Sequence, residues 1–285
     1  MSWSTEPAEV GQLLDRARAR LREAPHQPSP REALLLLGHV LGCSEAQVLA
    51  RSREPLECEP RERFESLLER RLAGEPMAYL KGRREFYGRE FGVDSRTLIP
   101  RPETEHLVEA ALALPLPAAP RILDLGTGSG ILAITLAAEL PQARVVAVDL
   151  SLDALAVARA NARMLGPGRV ALAATDLASA LELGAFDLVV SNPPYVALEE
   201  AVGLSPEVRD YEPGLALFAT EGGLAIHRRL LERAAGLRPG AFLAFEIGDG
   251  QLEGVLALAE PQPVELVEAR KDYASKPRVV VLKRT

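Results

Sequence analysis

The pattern of apolar and polar positions along the chain changes near residue 80. Before that point apolar residues recur every three or four positions with charged residues between them, which is the spacing of amphipathic helices. Prolines, a serine and a glycine mark where these helices begin and end. The pattern predicts helices over residues 6–23 and 31–41, one that follows Ser44 and ends near Ala50, and one that starts at Pro60 and ends before Gly74. We therefore predict a small helical domain over residues 1–80.

Beyond residue 80, short apolar runs typical of strands appear, and after residue 120 they alternate with helical segments. Residues 85–93 have the aromatic segments and glycine-containing turn of a hairpin, and we predict a β-hairpin linker over residues 81–98. In residues 99–285, predicted strands cover 121–125, 144–148, 169–174, 186–190, 240–247, 263–269 and 278–283, and predicted helices cover 104–112, 130–140, 151–165, 222–236 and 249–259. This alternation predicts an α/β domain with a mostly parallel, seven-stranded, Rossmann-like sheet and helices on both faces.

The strongest chemical signal is the sequence S-N-P-P-Y at the end of the apolar run 186–190. Two prolines cannot extend a strand, so the chain must leave the sheet in a stiff loop at its carboxyl edge, where open α/β folds bind ligands. The side-chain oxygen of Asn192 and the carbonyl of Pro193 are both acceptors and could accept both hydrogens of an –NH2 group. Pro194 stiffens the loop, and Tyr195 offers a flat face to a planar amide or base. For this motif alone, a proline-rich turn that only ends the strand is the simpler alternative.

A glycine-rich loop follows the strand 121–125 and opens the next helix, so it can approach a ligand at a helix N-terminus. Dinucleotide-binding enzymes use a similar loop. Here the spacing is G-T-G-S-G, and Asp124 stands just before the loop, where a pyrophosphate would be unwelcome but a cationic ligand would not. The loop residues that we expect to bind the cofactor are Gly126, Thr127, Gly128, Ser129 and Gly130.

Two further acidic residues end the next two predicted strands. Asp149, followed by Leu150, is placed to accept both ribose hydroxyls of a nucleoside, and Asp176 could take the amino group of an adenine. A nucleoside with a cationic amino-acid tail and no phosphate matches this set, so we expect S-adenosylmethionine as cofactor. Asp149 could instead cap a helix with the help of Ser151, and for Asp176 an absence of any ligand contact is an equal alternative.

Arg101 stands between two prolines in the segment 98–105, which reads as a rigid turn that leads into a helix. Its guanidinium could hold a carboxylate or cover a ligand. A solvated arginine in a linker is the alternative if this segment is taken alone.

Composition narrows the class of protein. Hydrophobic residues make up 47% of the chain and charged residues 26%, which are ordinary values for a soluble globular protein. The net charge is −7, and residues 1–95 hold 16 acidic and 15 basic side chains, so neither part is basic enough to favour nucleic acid as a partner. Cys43 and Cys58 fit no zinc or redox spacing, and no apolar run is long enough to cross a bilayer. We expect a cytoplasmic enzyme without a bound metal.

Several segments together resemble one bacterial family, the peptide chain release factor glutamine N5-methyltransferases (the PrmC/HemK family). They are L-I-P-R-P-E-T-E at 98–105, D-L-G-T-G-S-G at 124–130, S-N-P-P-Y at 191–195, Y-E-P-G-L-A-L-F at 211–218, E-G-G-L at 221–224 and F-E-I-G-D-G-Q at 245–251. The resemblance covers nearly the whole chain. It implies a class I S-adenosylmethionine-dependent methyltransferase domain over 99–285 and a substrate-recognition role for the helical domain.

The resemblance also implies a substrate, the glutamine of the Gly-Gly-Gln motif in class I release factors, whose side-chain amide nitrogen receives the methyl group. Asn192, Pro193 and Tyr195 would be the catalytic residues, and Pro194 and Arg101 would join them in substrate binding. Leu177 and Asn192 would contact the cofactor, with Leu177 at a position that is often aromatic in relatives. Residues 272–278 depart from a loop in which relatives often carry glycine. We expect a monomer that meets release factors as protein partners.

Three alternatives remain open at this point. The same chemistry could act on a glutamine of a ribosomal protein or on adenine in nucleic acid. A nicotinamide oxidoreductase could use a similar glycine loop, but it would need a place for a pyrophosphate and leaves the segment 192–195 unexplained. A non-catalytic binding module could retain the fold, but it has no need of Asn192, Pro193 and Tyr195.

Overall fold

The computed structural model describes residues 9–177, 179 and 181–285. The chain divides into two compact units. The first is residues 1–82 together with Ser205–Tyr211, and the second is 83–204 together with 212–285. The sequence does not predict that Ser205–Tyr211 belongs with the helical residues, and its three-part division at 80 and 98 stays a prediction. Among the described residues no helix is both long and apolar enough to cross a membrane.

The first unit is helical, as the apolar spacing predicts. Its helices are α1 (Val10–Glu23), α2 (Glu32–Leu41), α3 (Glu45–Ala50), α4 (Cys58–Leu72), α5 (Met77–Lys81) and α9 (Pro206–Tyr211). The first part of the predicted helix 6–23 lies outside the described residues. Ser44 caps α3 as predicted, because its hydroxyl accepts from the Gln47 amide while its own amide donates to the Gln47 side chain. Most of the core of the unit comes from apolar side chains of α1, α2 and α4, and Val48, Leu56 and Leu80 complete it.

Helix α9 is held in the first unit by a buried arginine and a tyrosine. The guanidinium of Arg71 donates to Glu32 of α2 at 2.5 Å and to Glu207 of α9, and only 2% of the Arg71 side chain is exposed. The Tyr211 hydroxyl donates to the Ala73 carbonyl at 2.8 Å. These contacts explain why a short polar helix, which has little intrinsic stability, forms at this position.

The second unit opens with the predicted hairpin, strands β1 (Arg83–Phe86) and β2 (Arg89–Gly92), which pair antiparallel. Phe86 and Phe91 are buried in the core of this unit. The side chain of Asn161 accepts from the Gly92 amide at 2.8 Å and donates to the Gly92 carbonyl at 2.9 Å. The hairpin is therefore packed into the second unit, and hydrogen bonds with Asn161, Glu105 and Glu139 hold it there.

The main sheet has seven strands in the order β10-β11-β9-β6-β3-β4-β5. Strands β3, β4, β5, β6 and β9 run parallel, and β11 and β10 complete the sheet antiparallel. The strands are β3 (Arg121–Leu125), β4 (Arg144–Asp149), β5 (Val170–Ala174), β6 (Leu188–Ser191), β9 (Phe242–Glu246), β10 (Val264–Lys271) and β11 (Pro277–Arg284). The predicted fold class is confirmed.

Helices cover the sheet with two apolar clusters. They are α6 (Glu105–Leu112), α7 (Ile131–Glu139), α8 (Leu152–Leu165), α11 (Ala225–Arg233) and α12 (Leu252–Ala259). Between β6 and α11 lie a second small sheet, β7 (Val196–Ala197) with β8 (Phe218–Ala219), and helix α10 (Gly214–Leu217). Strand β3 has β4 on one side and β6 on the other, so the strand order reverses there and opens a crevice at the carboxyl edge.

Candidate active site

The glycine loop after β3 is tied to the end of β4. The amides of Gly126 and Thr127 both donate to the Val148 carbonyl at 2.9 Å, and the Gly128 amide donates to Asp149 Oδ2 at the same distance. Gly128 has φ +55°, which favours glycine. The loop therefore folds back on the neighbouring strand and leaves its outer face to a ligand.

Asp149 joins this loop to the turn that begins α8. Its Oδ1 accepts from the Ser151 amide at 2.9 Å, so each carboxylate oxygen holds one backbone amide and keeps a lone pair for another donor. The helix cap is Ser151, whose hydroxyl accepts from the Ala154 amide at 3.1 Å. The alternative in which Asp149 serves as the cap is thereby removed, and binding of ribose hydroxyls stays the prediction for this residue.

Asp124 lies fully buried beneath the glycine loop. Its Oδ2 accepts from the Thr127 hydroxyl at 2.6 Å and from the Ala133 amide at 3.1 Å, whereas Oδ1 has no hydrogen-bond partner among the described residues. Burial raises the pKa of Asp124 to about 7, the two hydrogen bonds act against that rise, and the nearby charge of Asp149 adds to it. An unpaired carboxyl oxygen at this position favours a cationic ligand above the loop.

The crevice forms a pocket of about 460 Å³, a size that suits a small-molecule ligand. Predicted site residues that line it are Arg101, Gly126, Thr127, Gly128, Ser129, Asp149, Leu150, Asp176, Leu177, Asn192 and Pro194. The other predicted residues, Gly130, Pro193 and Tyr195, lie outside its lining. The lining and the unpaired Asp124 oxygen fit a nucleoside that carries a cationic tail.

Asp176 and Leu177 lie at the end of β5. Asp176 is exposed and accepts a hydrogen bond at 2.8 Å from Arg229 of α11, which also lines the pocket. Leu177 has φ +48°, a conformation that is unfavourable for a side chain with a Cβ. Because Arg229 already pairs with Asp176, the predicted contact of Asp176 with an adenine amino group would compete with this ion pair.

Asn192 begins a chain of hydrogen bonds that runs into the core. Its Nδ2 donates to the Thr104 hydroxyl at 3.0 Å, and that hydroxyl donates to Glu246 Oε2 at 2.7 Å. Glu246 Oε1 accepts from the Tyr195 hydroxyl at 2.9 Å. Asn192 lines the pocket, and because its Nδ2 is engaged with Thr104, Oδ1 is the end of the carboxamide left as an acceptor.

The backbone of the S-N-P-P-Y loop is held from behind by Gln251. Its Nε2 donates to the Tyr195 carbonyl at 2.8 Å, and its Oε1 accepts from the Gly248 amide at the same distance. Gly223, with φ +86°, packs so closely that a Cβ there would come within 2.1 Å of the Tyr195 carbonyl oxygen. The segments E-G-G-L and F-E-I-G-D-G-Q thus form the support of the loop.

Arg101 lines the pocket and pairs with a carboxylate of this chain, while its contact with a substrate stays a prediction. Its guanidinium donates to Glu212 Oε1 at 2.5 Å, and Glu212 Oε2 accepts from the Ile99 amide at 3.1 Å. Glu212 is almost fully buried while Arg101 is half-buried, so the acid holds the arginine in place at the pocket wall.

Burial sets the protonation of the groups behind Asn192. It raises the pKa of the Tyr195 phenol, which the neighbouring Glu246 raises further, so this hydroxyl stays protonated. Burial also lowers the pKa of His227, whose Nε2 lies 2.9 Å from the Glu246 carbonyl oxygen. A neutral imidazole with a proton on Nε2 donates to that carbonyl and helps to fix Glu246.

Sequence reasoning missed Thr104, Glu212, Glu246 and Gln251. All four stand inside segments that carry the family resemblance. Their contacts join residues 51 to 142 positions apart, and neither spacing nor periodicity reports such pairs.

The fold recurs in solved methyltransferases. A methyltransferase from Pyrococcus furiosus superimposes with a TM-score of 0.53 at 17% identity, over 77% of this chain and 98% of that one. The catalytic domain of hMettl16 superimposes with a TM-score of 0.55 at 16% identity, over 77% of this chain and 82% of that one. The family described as methyltransferase small domain matches residues 104–204. The fold and the site together define a methyltransferase that uses S-adenosylmethionine.

Relatives of much higher identity narrow this class. The release factor glutamine methyltransferase of Koribacter versatilis is 45% identical over 245 residues, which are 83% of this chain and 85% of the relative. That of Nitratidesulfovibrio vulgaris is 40% identical over an alignment of 287 positions, which covers 99% of this chain and 97% of the relative. The family described as PrmC N-terminal domain matches residues 12–82. The chain belongs to the release factor glutamine methyltransferase family.

Proposed function

We propose that this chain methylates the side-chain amide nitrogen (N5) of the glutamine in the Gly-Gly-Gln motif of class I release factors, and thereby modulates translation termination. The observation that supports this most directly is the carboxamide of Asn192, whose Nδ2 is held by Thr104 at 3.0 Å so that Oδ1 is left for a substrate –NH2 group. The reaction belongs to the cytoplasm, where release factors act.

The chain's own residues prepare the substrate nitrogen. An amide nitrogen is a poor nucleophile because its lone pair is delocalised into the carbonyl group. Asn192 Oδ1 and the Pro193 carbonyl accept its two hydrogens, which favours a more tetrahedral nitrogen and meets the positive charge that develops during attack. Tyr195, anchored on Glu246, fixes the side of the amide pocket. S-adenosylmethionine supplies an electrophilic methyl group on a sulfonium sulfur.

The glycine loop and the neighbouring ends of β4 and β5 bind the cofactor. Gly126 to Ser129 provide the closely approaching backbone, Asp149 takes the ribose hydroxyls, and Leu150 and Leu177 provide apolar contact for the base. The buried Asp124 favours the cationic tail in its ionised form, which a nearby cation in turn stabilises. The main gain in rate comes from positioning the substrate amide and the methyl group of the cofactor in one pocket, and proton transfer contributes less.

The extra proton of the product amide leaves to solvent after methyl transfer. Tyr195 cannot take it, because burial and Glu246 keep its hydroxyl protonated and directed to that carboxylate. Glu246 lies behind Thr104 and Tyr195, with 1% of its surface exposed, and so has no direct path to the pocket.

The helical residues 1–80 would recognise the release factor, and the enzyme would act as a monomer without direct contact to nucleic acid. The near balance of 16 acidic and 15 basic residues in the first 95 supports a protein partner over a nucleic acid. A ribosomal-protein glutamine or an adenine amino group would present the same –NH2 chemistry to Asn192, so these are the alternative substrates.

Methyl transfer from labelled S-adenosylmethionine tests the proposal. Purified protein is offered a class I release factor, the same factor with its Gly-Gly-Gln glutamine replaced by alanine, and duplex DNA. We expect label in the unaltered factor alone. Label in DNA, or equal label in both factors, would contradict the assignment.

The variant Asn192→Ala tests the residue that supports the proposal. We expect it to lose at least a hundredfold in turnover, because it removes one of two acceptors for the reacting amide. Its affinity for S-adenosylhomocysteine, measured by calorimetry, should change much less. Unchanged turnover would remove Asn192 from the mechanism.

A further inference from the structure

The hydrogen bonds behind Asn192 have a fixed direction. A carboxylate can only accept, so Glu246 requires a donated hydrogen from Thr104 at 2.7 Å and another from Tyr195 at 2.9 Å. A threonine hydroxyl has one hydrogen. Once that hydrogen is committed to Glu246, the oxygen faces Asn192 with lone pairs only, and the group 3.0 Å away must be the donor end of the carboxamide, Nδ2.

We propose that Glu246 and Thr104 are positioning residues that set the polarity of Asn192 and so make the pocket select a side-chain amide over a carboxylate. This inference rests on the proposed function and deepens it, because glutamine and glutamate differ only in this group. With Oδ1 of Asn192 facing the substrate, the pocket offers acceptors. An –NH2 group satisfies them, whereas a carboxylate oxygen meets them with its own lone pairs.

An opposite orientation of Asn192 would reverse this preference. If Nδ2 faced the pocket, it would donate to a carboxylate and would oppose the –NH2 group of glutamine. Asparagine's two ends have nearly the same shape, so packing alone cannot distinguish the two orientations. The Thr104 hydroxyl distinguishes the two orientations by hydrogen bonding. If Oδ1 of Asn192 faced Thr104, two oxygens would face each other with lone pairs only and no hydrogen bond would form.

The environment of Glu246 contains further charged groups that bear on its ionisation. The pKa of Glu246 is raised above its ordinary value, chiefly by burial and also by the charge of Glu103, although the hydrogen bonds from Thr104 and Tyr195 and the charge of Arg278 act against that rise. The polarity of Asn192 is set by the geometry, in which each Glu246 oxygen accepts from one hydroxyl, an arrangement that stabilises the ionised carboxylate over the protonated acid.

Two substitutions of Thr104 separate the hydroxyl from the volume of the side chain. Thr104→Val keeps the shape and removes the hydroxyl, and Thr104→Ser keeps the hydroxyl and removes a methyl group. The substrates are a release factor with Gly-Gly-Gln and the same factor with Gly-Gly-Glu, the second used as an inhibitor of methylation. The measured quantity is the inhibition constant of the glutamate factor divided by the KM of the glutamine factor.

We expect this ratio to be about 10 or more in the unaltered enzyme and in Thr104→Ser, and the two enzymes should agree within about twofold. In Thr104→Val it should fall by roughly tenfold, and kcat/KM for the glutamine factor should fall by a similar factor. Affinity for S-adenosylhomocysteine serves as the control and should stay close to that of the unaltered enzyme, whereas the Tm of Thr104→Val should fall because the buried Glu246 loses a donated hydrogen bond. An unchanged ratio in a folded Thr104→Val enzyme would overturn the proposal.

Glu246→Gln provides a second variant if Thr104→Val does not fold. A glutamine at this position can offer Thr104 either an acceptor or a donor, so both orientations of Asn192 become available. We expect the ratio to fall severalfold below that of the unaltered enzyme. A ratio equal to that of the unaltered enzyme contradicts the role of Glu246.

A measurement without any substrate keeps this inference separate from the proposed function. In a side-chain ¹H–¹⁵N spectrum, assigned with Asn192→Ala, one Nδ2 proton of Asn192 should exchange with solvent at least tenfold more slowly in the unaltered enzyme and Thr104→Ser than in Thr104→Val. Equal exchange in all three overturns the polarity argument. Failure of the unaltered enzyme to methylate any release factor overturns the proposed function, while this exchange comparison still decides the inference.

Discussion

Beneath the glycine loop, Asp124 stands in an environment that opposes its charge. The carboxyl is fully buried, with only Thr127 and Ala133 as donors and Oδ1 unpaired within the described residues. Its pKa of about 7 in the folded chain compares with 3.8 for an exposed aspartate. Between these two values the folded state retains a proton that the unfolded state has lost, so stability from this group is present at low pH and decreases as the pH rises.

Asp124→Asn should remove that dependence. Without cofactor, the unaltered protein should lose up to about 1.4 kcal/mol of stability per pH unit from this residue as the pH rises from about 4 to 7. We therefore expect Asp124→Asn to have the higher Tm of the two at pH 8 and a smaller advantage at pH 5. It should also bind S-adenosylmethionine more weakly, since the charge that favours the cationic tail is gone.

Scanning calorimetry at several pH values measures this effect, with Asp15→Asn as the control because Asp15 is an exposed acid of α1. The control should follow the unaltered protein at every pH. Parallel curves for Asp124→Asn and the unaltered protein would mean that Asp124 is not protonated in the folded state.

The sequence identifies single residues whose role depends on their immediate neighbours in the chain. Asn192 and Pro193 are recognisable because two prolines directly after an apolar strand leave few conformations for the chain. Thr104 and Glu246 are not recognisable in this way, because their contact spans 142 positions and depends on how β9 and α6 meet. Periodicity predicts that Glu246 lies in a strand, but not what its carboxylate accepts.

At the scale of elements, the loop that carries Asn192 depends on a glycine turn from another part of the chain. Gly223 has φ +86°, and a Cβ there would lie 2.1 Å from the Tyr195 carbonyl oxygen and 2.5 Å from Gln251 Nε2. Both atoms belong to the support of the S-N-P-P-Y loop. A side chain at this position must move that loop or the glutamine that holds it.

Gly223→Ala should lower kcat at least tenfold, because a displaced Tyr195 carbonyl shifts the acceptors on either side of the reacting nitrogen. Gly222→Ala is a matched control. Gly222 also has a positive φ, +62°, but a Cβ there meets no atom within 4 Å. The control should lose only about 1 kcal/mol of stability through backbone strain and keep its turnover. Equal kcat values in the two variants would show that the close approach of Gly223 has no catalytic consequence.

Element boundaries were predictable where the local pattern is strong. Strand 121–125 has the predicted bounds, and most other strands and helices of the second unit differ from the prediction by one to three residues. Helix α9 was not predicted, because its sequence P-E-V-R-D-Y has no apolar periodicity. It is stabilised instead by Arg71 and Tyr211, which sequence patterns do not reveal.

At the scale of the whole molecule, the chain passes between its two units within the stretch that follows the S-N-P-P-Y loop. Tyr211 donates to Ala73 inside the helical unit, and the next residue, Glu212, accepts from Ile99 and Arg101 inside the catalytic unit. Two neighbouring residues are thus anchored in different units. The domain division predicted from sequence treats the helical domain as one continuous stretch and contains no such return of the chain.

The buried Arg71 is the centre of the contact that holds this return segment. Its side chain is 2% exposed and pairs with Glu32 and Glu207, whose side chains are 18% and 34% exposed. Arg71→Met should decrease the free energy of unfolding by about 2–3 kcal/mol, less than for a fully buried pair because solvent reaches both glutamates. Adding Glu207→Gln to this variant should restore part of the loss, since one uncompensated charge is then removed.

Arg70→Met is the matched control, because Arg70 is the adjacent residue, is half exposed and pairs with Glu75. Its expected change is under about 1 kcal/mol. Urea unfolding measures both variants, and affinity for S-adenosylhomocysteine should be unchanged in each, since that pocket is formed by residues of the other unit. If Arg70→Met and Arg71→Met lowered stability equally, the buried ion pairs would not be what fixes Ser205–Tyr211 to the helices.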